Sequence, residues 1–270
     1  MSYTLFESTL DLVRVLTSVK EGAATANGTT ATLIDSSMGT DYPDDHWNNG
    51  TIWVPLRGAV AAQYKRVTDF VQTSYTLTFD ALTTSIASGD AYRVAPKEFP
   101  LSILIQKVNA ALRSLGPLPT VTTISAVANQ LEYTNTTSTI FDEEIIAVEI
   151  GTGSVNPYGW TPHYHWSQVM ESPRKFKFHY GYEPAEALPM AITYLKPHSE
   201  ISVETAVINA AVDPERLKWS AALECWRWKQ KQQHGNDGTI KEALVEAGQL
   251  AQITANQHPI NKQKVRLARW

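Results

Sequence analysis

A single cysteine, Cys225, is all the thiol the 270 residues contain, so no intrachain disulfide can form, as suits a chain folded in a reducing compartment. No stretch reaches the roughly 20 consecutive apolar residues of a membrane span. The first twenty residues, MSYTLFESTLDLVRVLTSVK, lack the basic start and apolar run of a signal peptide. These absences predict a water-soluble chain made in the cytoplasm. Charge is scarce too: Asp, Glu, Lys and Arg make up 19% of residues, against about 25% in an average soluble domain. The net charge is −4, which leaves no global basic field to hold nucleic acid. Neither a GxxxxGKS/T loop, a GxGxxG turn nor a GxSxG elbow occurs, and GTGS (151–154) reads as a turn in a β region rather than a phosphate cradle.

Hydrophobic residues, at 43%, suffice for a packed core. Residues 3–20 space Leu5, Leu12, Val15, Leu16 and Val19 as a helix, with Gly22 as its stop. From Asn27 to Val94 the chain turns to strands: TTATLI (29–34), GTIWVPL (50–56), KRVTDF (65–70) and YTLTFD (75–80), where Tyr75, Leu77 and Phe79 alternate with polar residues. Residues 99–116 give the clearest helix, with Leu101, Leu104, Ile105, Val108, Ala111, Leu112 and Leu115 on one face and Gly116-Pro117 closing it. A second β region follows, with strands at 130–135, 143–151, 175–182 and 191–197; Phe176, Phe178 and Tyr180 form its greasy face. The segment 201–212 is read as a short helix despite its β-branched residues. Asp213-Pro214-Glu215 then supplies an N-cap, an N1 proline and a first-turn acid. A last helix at 239–257 aligns Ile240, Leu244, Ala247, Leu250, Ala251 and Ile253, and Pro259 ends it.

The pattern predicts an α+β chain. A small helical bundle (1–24, 97–117 and 202–257) carries two inserted antiparallel β modules, a small β domain at 25–96 and a β-sandwich at 118–201. An extended C-terminal arm occupies 258–270.

Chemistry is thin. Cys225 sits mid-helix and reads as a small buried hydrophobe. His163 and His165 would share one face of a strand and offer two imidazoles to a metal, but no third ligand can be named. Asp41, Asp44 and Asp45 lack the ligand spacing of a calcium loop and read as a turn-forming acidic loop. Asp142, Glu143 and Glu144 have no second acid at hydrolytic distance. Neither a catalytic residue, a cofactor nor a metal site is assigned, and the chain is expected not to be an enzyme. Aromatics are the remaining anomaly. Trp160, Tyr164 and Trp166 suit core packing, sugar stacking or an interface. Trp226 and Trp228, two apart on a helix, point away from each other, so one is expected to face another element or a neighbouring subunit. In the tail, Lys262, Lys264, Arg266 and Arg269 alternate with Val265, Leu267 and Trp270, the pattern of an arm that adds to a partner's β-edge or acidic groove.

TATLIDSS (30–37), DYPDDHWNNGTIWV (41–54), KRVTDF (65–70), YTLTFDALTTSIASGDAYRV (75–94) and PLSILIQKVNAALRSLG (100–116) together resemble a module of tailed-bacteriophage neck and connector proteins. LEYTN (131–135) and AITYLKPHSEIS (191–202) resemble the sandwich that often follows it. The resemblance spans most of the chain, and it lies more in the order of parts than in any one motif. It implies a non-enzymatic virion protein at the head–tail neck. Such a protein forms a homo-oligomeric, dodecameric ring beneath the portal, with helices as the ring body and Lys262, Lys264, Val265, Arg266, Leu267, Arg269 and Trp270 as a portal-docking arm. Neck or tail proteins would be its neighbours, and genomic DNA would pass through the lumen without sequence-specific binding. The alternative is a tail or baseplate protein whose β-sandwich binds carbohydrate.

Overall fold

The computed structural model describes residues 3–39, 41–55, 62–134, 139–151, 159–169, 174–233 and 237–260. It is an α+β structure, with four α-helices and thirteen strands among those residues, every strand pairing antiparallel. No helix in them is long and apolar enough to cross a membrane. The chain divides into two compact units: the first joins Met1–Ser114 to Ser199–Pro259, and the second is built on Leu115–His198.

The first unit begins with α1 (Leu5–Leu16). Thr4 and Glu7 form a reciprocal capping box, in which the Thr4 hydroxyl accepts from the Glu7 N–H and the Glu7 carboxylate accepts from the Thr4 N–H. Two further donors at this helix end, the N–H groups of Leu5 and Phe6, go to the carbonyls of Ala206 and Glu204 at 2.9 and 3.0 Å. The segment expected to be a helix at 201–212 is therefore not helical: it runs through turns, with an isolated bridge from Val207 to Thr4. Its β-branched residues suit this, and its backbone satisfies groups that a free helix end leaves without partners.

Six strands follow: β1 (Lys20–Ala23), β2 (Thr32–Ile34), β3 (Thr51–Val54), β4 (Gln63–Val71), β5 (Thr76–Phe79) and β6 (Ala91–Ala95). They lie in the order β1-β6-β3-β4-β5-β2. The first part of β4 pairs with β3 and the rest with β5, and its register shifts between Val67 and Asp69, which curls the sheet into a half-barrel. Leu33, Trp47, Ile52, Val67, Phe70, Leu77, Phe79, Tyr92 and Val94 fill the inside of the curl. Gly22 lies within β1 and does not stop α1, which ends at Leu16. A side chain at Gly22 would meet the Asp35 carboxylate at 2.8 Å and the Tyr92 ring at 2.9 Å, so this close approach requires glycine. Those two groups hold each other: the Tyr92 hydroxyl donates to Asp35 Oδ2 at 2.6 Å, and the Ser37 N–H to Oδ1 at 2.9 Å. Tyr75, expected in the β5 alternation, sits before the strand in the left-handed region at φ 51°.

α2 (Leu101–Ser114) starts on Pro100, whose carbonyl accepts from Leu104, and Gly116 at φ 68° follows it. α3 (Pro214–Gln232) has Asp213 as N-cap, accepting from the Glu215 and Arg216 N–H groups, and α4 (Gly238–Gln257) is capped by Asp237. α3 packs on α1, α2 and α4. α1 also meets the sheet, where the Trp53 indole donates to the Thr9 hydroxyl at 3.2 Å and Phe6 stacks parallel to Tyr64. In α4 the buried residues are Ile240, Ala247 and Thr254, while Ile253 is exposed rather than aligned with them.

The second unit holds β7 (Leu118–Ser125), β8 (Glu132–Thr134), β9 (Glu144–Gly151), β10 (Trp160–Pro162), β11 (Trp166–Val169), β12 (Lys175–Phe178) and β13 (Pro189–Lys196). One sheet has the order β10-β9-β13-β7 and the other β11-β12-β8. Both contribute to one core: Tyr133, Phe176 and Phe178 come from the three-stranded sheet, and Ile145, Val148, Met190 and Ile192 from the four-stranded sheet. The alternation of β12 ends at Phe178. Tyr180, expected on the greasy face, is instead 87% exposed in a turn closed by the Tyr182 N–H on the His179 carbonyl, with Gly181 at φ 80°. The turn reverses the chain before the next inward position is reached.

Candidate functional site

Most of the groups that carry chemistry are engaged in holding the fold. Cys225 is fully buried on α3, and burial pushes its thiol up to about 12, so it stays protonated at neutral pH. In the acidic loop, Asp44 accepts from the Gln72 N–H and Asp45 from the Asn48 amide, each at 2.6 Å. Trp47, beside them, is buried in the core of the curl. Around Asp142–Glu144 it is main-chain groups that are tied: the Arg174 guanidinium donates to the Asp142 carbonyl, and the Gln168 amide bridges the Glu143 carbonyl and the Ile145 N–H. Among the described residues no three His, Cys, Asp or Glu side chains are placed to hold a metal ion.

Trp226 and Trp228 leave α3 about 200° apart, yet both reach Phe99, at centroid distances of 5.3 and 6.3 Å. Lys229 lies over Phe99 at 4.7 Å and pairs with Glu98 at 3.1 Å. Spacing alone sends one indole away from the chain. The length of the side chains brings both back to a single phenylalanine, and both indoles stay half-buried there. The residues expected to form a portal-docking arm, Lys262, Lys264, Val265, Arg266, Leu267, Arg269 and Trp270, lie outside the described residues.

Two surfaces remain. The first is α4. Val245 and Ile253 are 58% and 48% exposed, and Ala247–Gln257 contains no charged residue. A solvated helix face normally carries charge.

The second is a field of rings on the second unit. Every strongly exposed aromatic among the described residues lies here: Trp160, Tyr164, Tyr180 and Tyr182. His165 stacks on Tyr182 with ring centroids 3.7 Å apart and planes 20° from parallel. His163 and His179 stand 6.2 and 6.4 Å from His165, and His163 meets Phe178 edge-on at 5.0 Å. The backbone fixes these rings, because the His163 N–H donates to the Val148 carbonyl and the His179 N–H to the His165 carbonyl. His163 Nε2 is buried without a protein partner. His163 and Tyr164 also line a small pocket of about 80 Å³ with Ala147, Val148, Glu149 and Pro162. The sequence pointed to His163, His165, Trp160 and Tyr164, but it hid His179, Tyr180 and Tyr182 by continuing the alternation of β12. The glycine in His-Tyr-Gly-Tyr was the signal for a turn.

Burial holds His163 below the ordinary histidine value of 6.5, and charge on His165 and His179 pushes the same way. The groups around it are His165 and His179, with Glu149 and Tyr164 on the shared pocket wall. As pH falls through 6.5 the unfolded chain takes up a proton that the folded chain resists. Stability therefore declines below that pH, and the loss is complete once the lowered folded value is passed. Thermal melts from about pH 7.5 to about pH 5 should show the midpoint of the second unit falling, with His163→Phe flattening the fall. An unchanged slope in that variant would place the proton uptake elsewhere.

Searched against models of known protein families and against curated protein sequences, the chain matches none.

Proposed function

We propose that the chain is a structural virion protein, a head-to-tail connector subunit that assembles as a ring below the portal and links the capsid to the neck and tail. One observation carries this reading. α4 is twenty residues long and buries only Ile240, Ala247 and Thr254, while Val245 and Ile253 stand exposed beside the charge-free stretch Ala247–Gln257. Two exposed aliphatic side chains on a helix whose last eleven residues carry no charge fit a contact with a second copy of the chain, with the amides of Gln249 and Gln252 between and beside them. In this reading the four helices are a small bundle forming the ring body, and the two sheets of the second unit are a sandwich that meets neck or tail proteins. Residues 258–270, with their alternating basic and apolar side chains, reach the portal. Dodecameric symmetry and passage of the genome through the lumen come from the resemblance to phage connectors.

The test uses virions. Crosslinking mass spectrometry should join Lys262 or Lys264 to a portal subunit. Virions made with the Val245→Glu/Ile253→Glu chain should incorporate it at least about tenfold less, the equivalent of about 1.4 kcal/mol, with the thermal midpoint of the purified variant unchanged. Crosslinks only to tail-tip or fibre proteins, or incorporation of the double variant at the normal level, would overturn the proposal. The second reading, a tail or baseplate protein with a carbohydrate-binding sandwich, is favoured by the exposed rings of the second unit.

A further inference from the structure

The ring field of the second unit has a chemistry that narrows its partner. Residues 159–169, GWTPHYHWSQV, contain no Lys, Arg, Asp or Glu. The nearby cations of β12, Lys175 and Lys177, are both paired with Glu132, at 3.3 and 3.1 Å. A phosphate-bearing ligand needs uncommitted cations, and this stretch supplies none. An apolar helix from another protein would need an aliphatic groove, whereas the groups here are ring faces with imidazole, phenol and carboxylate edges.

We infer that this surface binds a neutral oligosaccharide, stacked on Tyr182 and extending past His165 and His163 to the pocket walled by Glu149 and Tyr164. The inference rests on the second reading, a carbohydrate-binding sandwich, for which it names the ligand class and the binding surface; the connector reading stands or falls separately. A pyranose ring presents C–H groups on its faces and hydroxyls at its rim, so it needs an aromatic plane with hydrogen-bonding groups beside it. Tyr182 supplies the plane. It is 49% exposed, and His165, stacked against it at 3.7 Å, sets its orientation in advance. A ring already held in place loses little rotamer freedom on binding. The turn keeps Tyr182 there through its N–H bond to His179, and Tyr180 stands 87% exposed two residues away. The rings continue from Tyr182 to His165 and then, 6.2 Å further, to His163 on the pocket wall. At about 80 Å³ the pocket is small and open to the surface, so it suits a group projecting from the sugar chain. A hydroxymethyl or acetamido group would fit, with Glu149 as hydrogen-bond acceptor. The distance from platform to pocket favours a chain of sugars over a single one.

Saturation-transfer NMR and titration calorimetry on the full chain, with maltohexaose and chitotetraose as probes, decide the matter. Transfer to pyranose ring protons from at least one probe is expected. Tyr182→Ala should weaken binding at least tenfold, while Tyr182→Phe, which keeps the ring, should stay within threefold of the parent; thermal midpoints confirm that both variants fold. No transfer from either probe would overturn the inference, as would equal binding by Tyr182→Ala. Binding confined to an anionic probe such as a heparin hexasaccharide would overturn it as well, because it would show that charge is what the surface reads.

Discussion

Asn109→Ala is expected to destabilise the first unit by about 3 kcal/mol, from two stranded backbone groups at about 1–3 kcal/mol each. Asn109 is 3% exposed in the middle of α2. Its amide donates to the Ile201 carbonyl at 2.8 Å and accepts from the Ile201 N–H at 2.9 Å, and a further bond runs to Ile105 within the helix. The two residues are 92 apart in sequence, so this one side chain fastens the returning chain to α2. Ile201 is itself 7% exposed, and water cannot easily replace the lost partner. Chemical denaturation should show a lower midpoint at unchanged slope. A loss below about 1 kcal/mol would mean that the segment finds other partners on relaxing. Asn109→Asp separates the two bonds: it keeps the acceptor for the Ile201 N–H but sets a carboxylate against the Ile201 carbonyl, so it should not restore stability.

Phe178→Ala is expected to cost the second unit about 3–5 kcal/mol, the usual range for emptying a buried phenylalanine site. The ring is fully buried, with Phe176 at 4.9 Å, His163 at 5.0 Å and Tyr133 at 6.0 Å. This cluster lies in the core shared by the two sheets, so the cavity would open between them. A domain of this size has only about 5–15 kcal/mol of net stability. In thermal melts of the full chain the transition of the second unit should fall steeply, while that of the first unit stays in place. Phe178→Leu, which refills part of the volume, should recover most of the loss. If both variants melt like the parent, Phe178 is not the centre of that core. Because His163 rests edge-on against Phe178, the alanine variant should also disturb the ring field, and it is unsuited as a test of ligand binding.

How much could be read in advance varies element by element. α2 lies where its apolar spacing put it, and Asp213-Pro214 opens α3 as its residue types required. β5, β9 and β12 fall inside the runs of Thr, Val, Ile and aromatic residues that marked them, and β13 overlaps its run but starts two residues earlier, at Pro189. The misreadings share a cause. Residues 201–212 have a spacing that allows a helix, but the end of α1 needed two carbonyls and took them from that segment. Gly22 looked like a helix stop, because nothing near it in sequence shows that Asp35 and Tyr92 would press against it. The same holds for the candidate site. His163 and His165 stood out by their spacing, whereas their stacking and ring partners, Tyr182 and His179, come from the far side of β11 and β12.

What the sequence determined by itself is therefore what neighbours within a turn or two can enforce. That covers the α+β character, the Asp213 cap of α3, the Gly116 stop after α2, the pairing-prone strands, and the absence of recognisable phosphate-loop and nucleophile-elbow motifs. Caps, turns and periodicity act over a few residues, and their energies are already present in the local chain. Only the tertiary structure decided which strands pair, that β4 serves both halves of a curled sheet, that Trp226 and Trp228 close on Phe99, and that three histidines and two tyrosines gather on one surface. Those outcomes depend on contacts between distant residues, whose formation follows from which surfaces the whole chain can bury together and not from any segment's own preference.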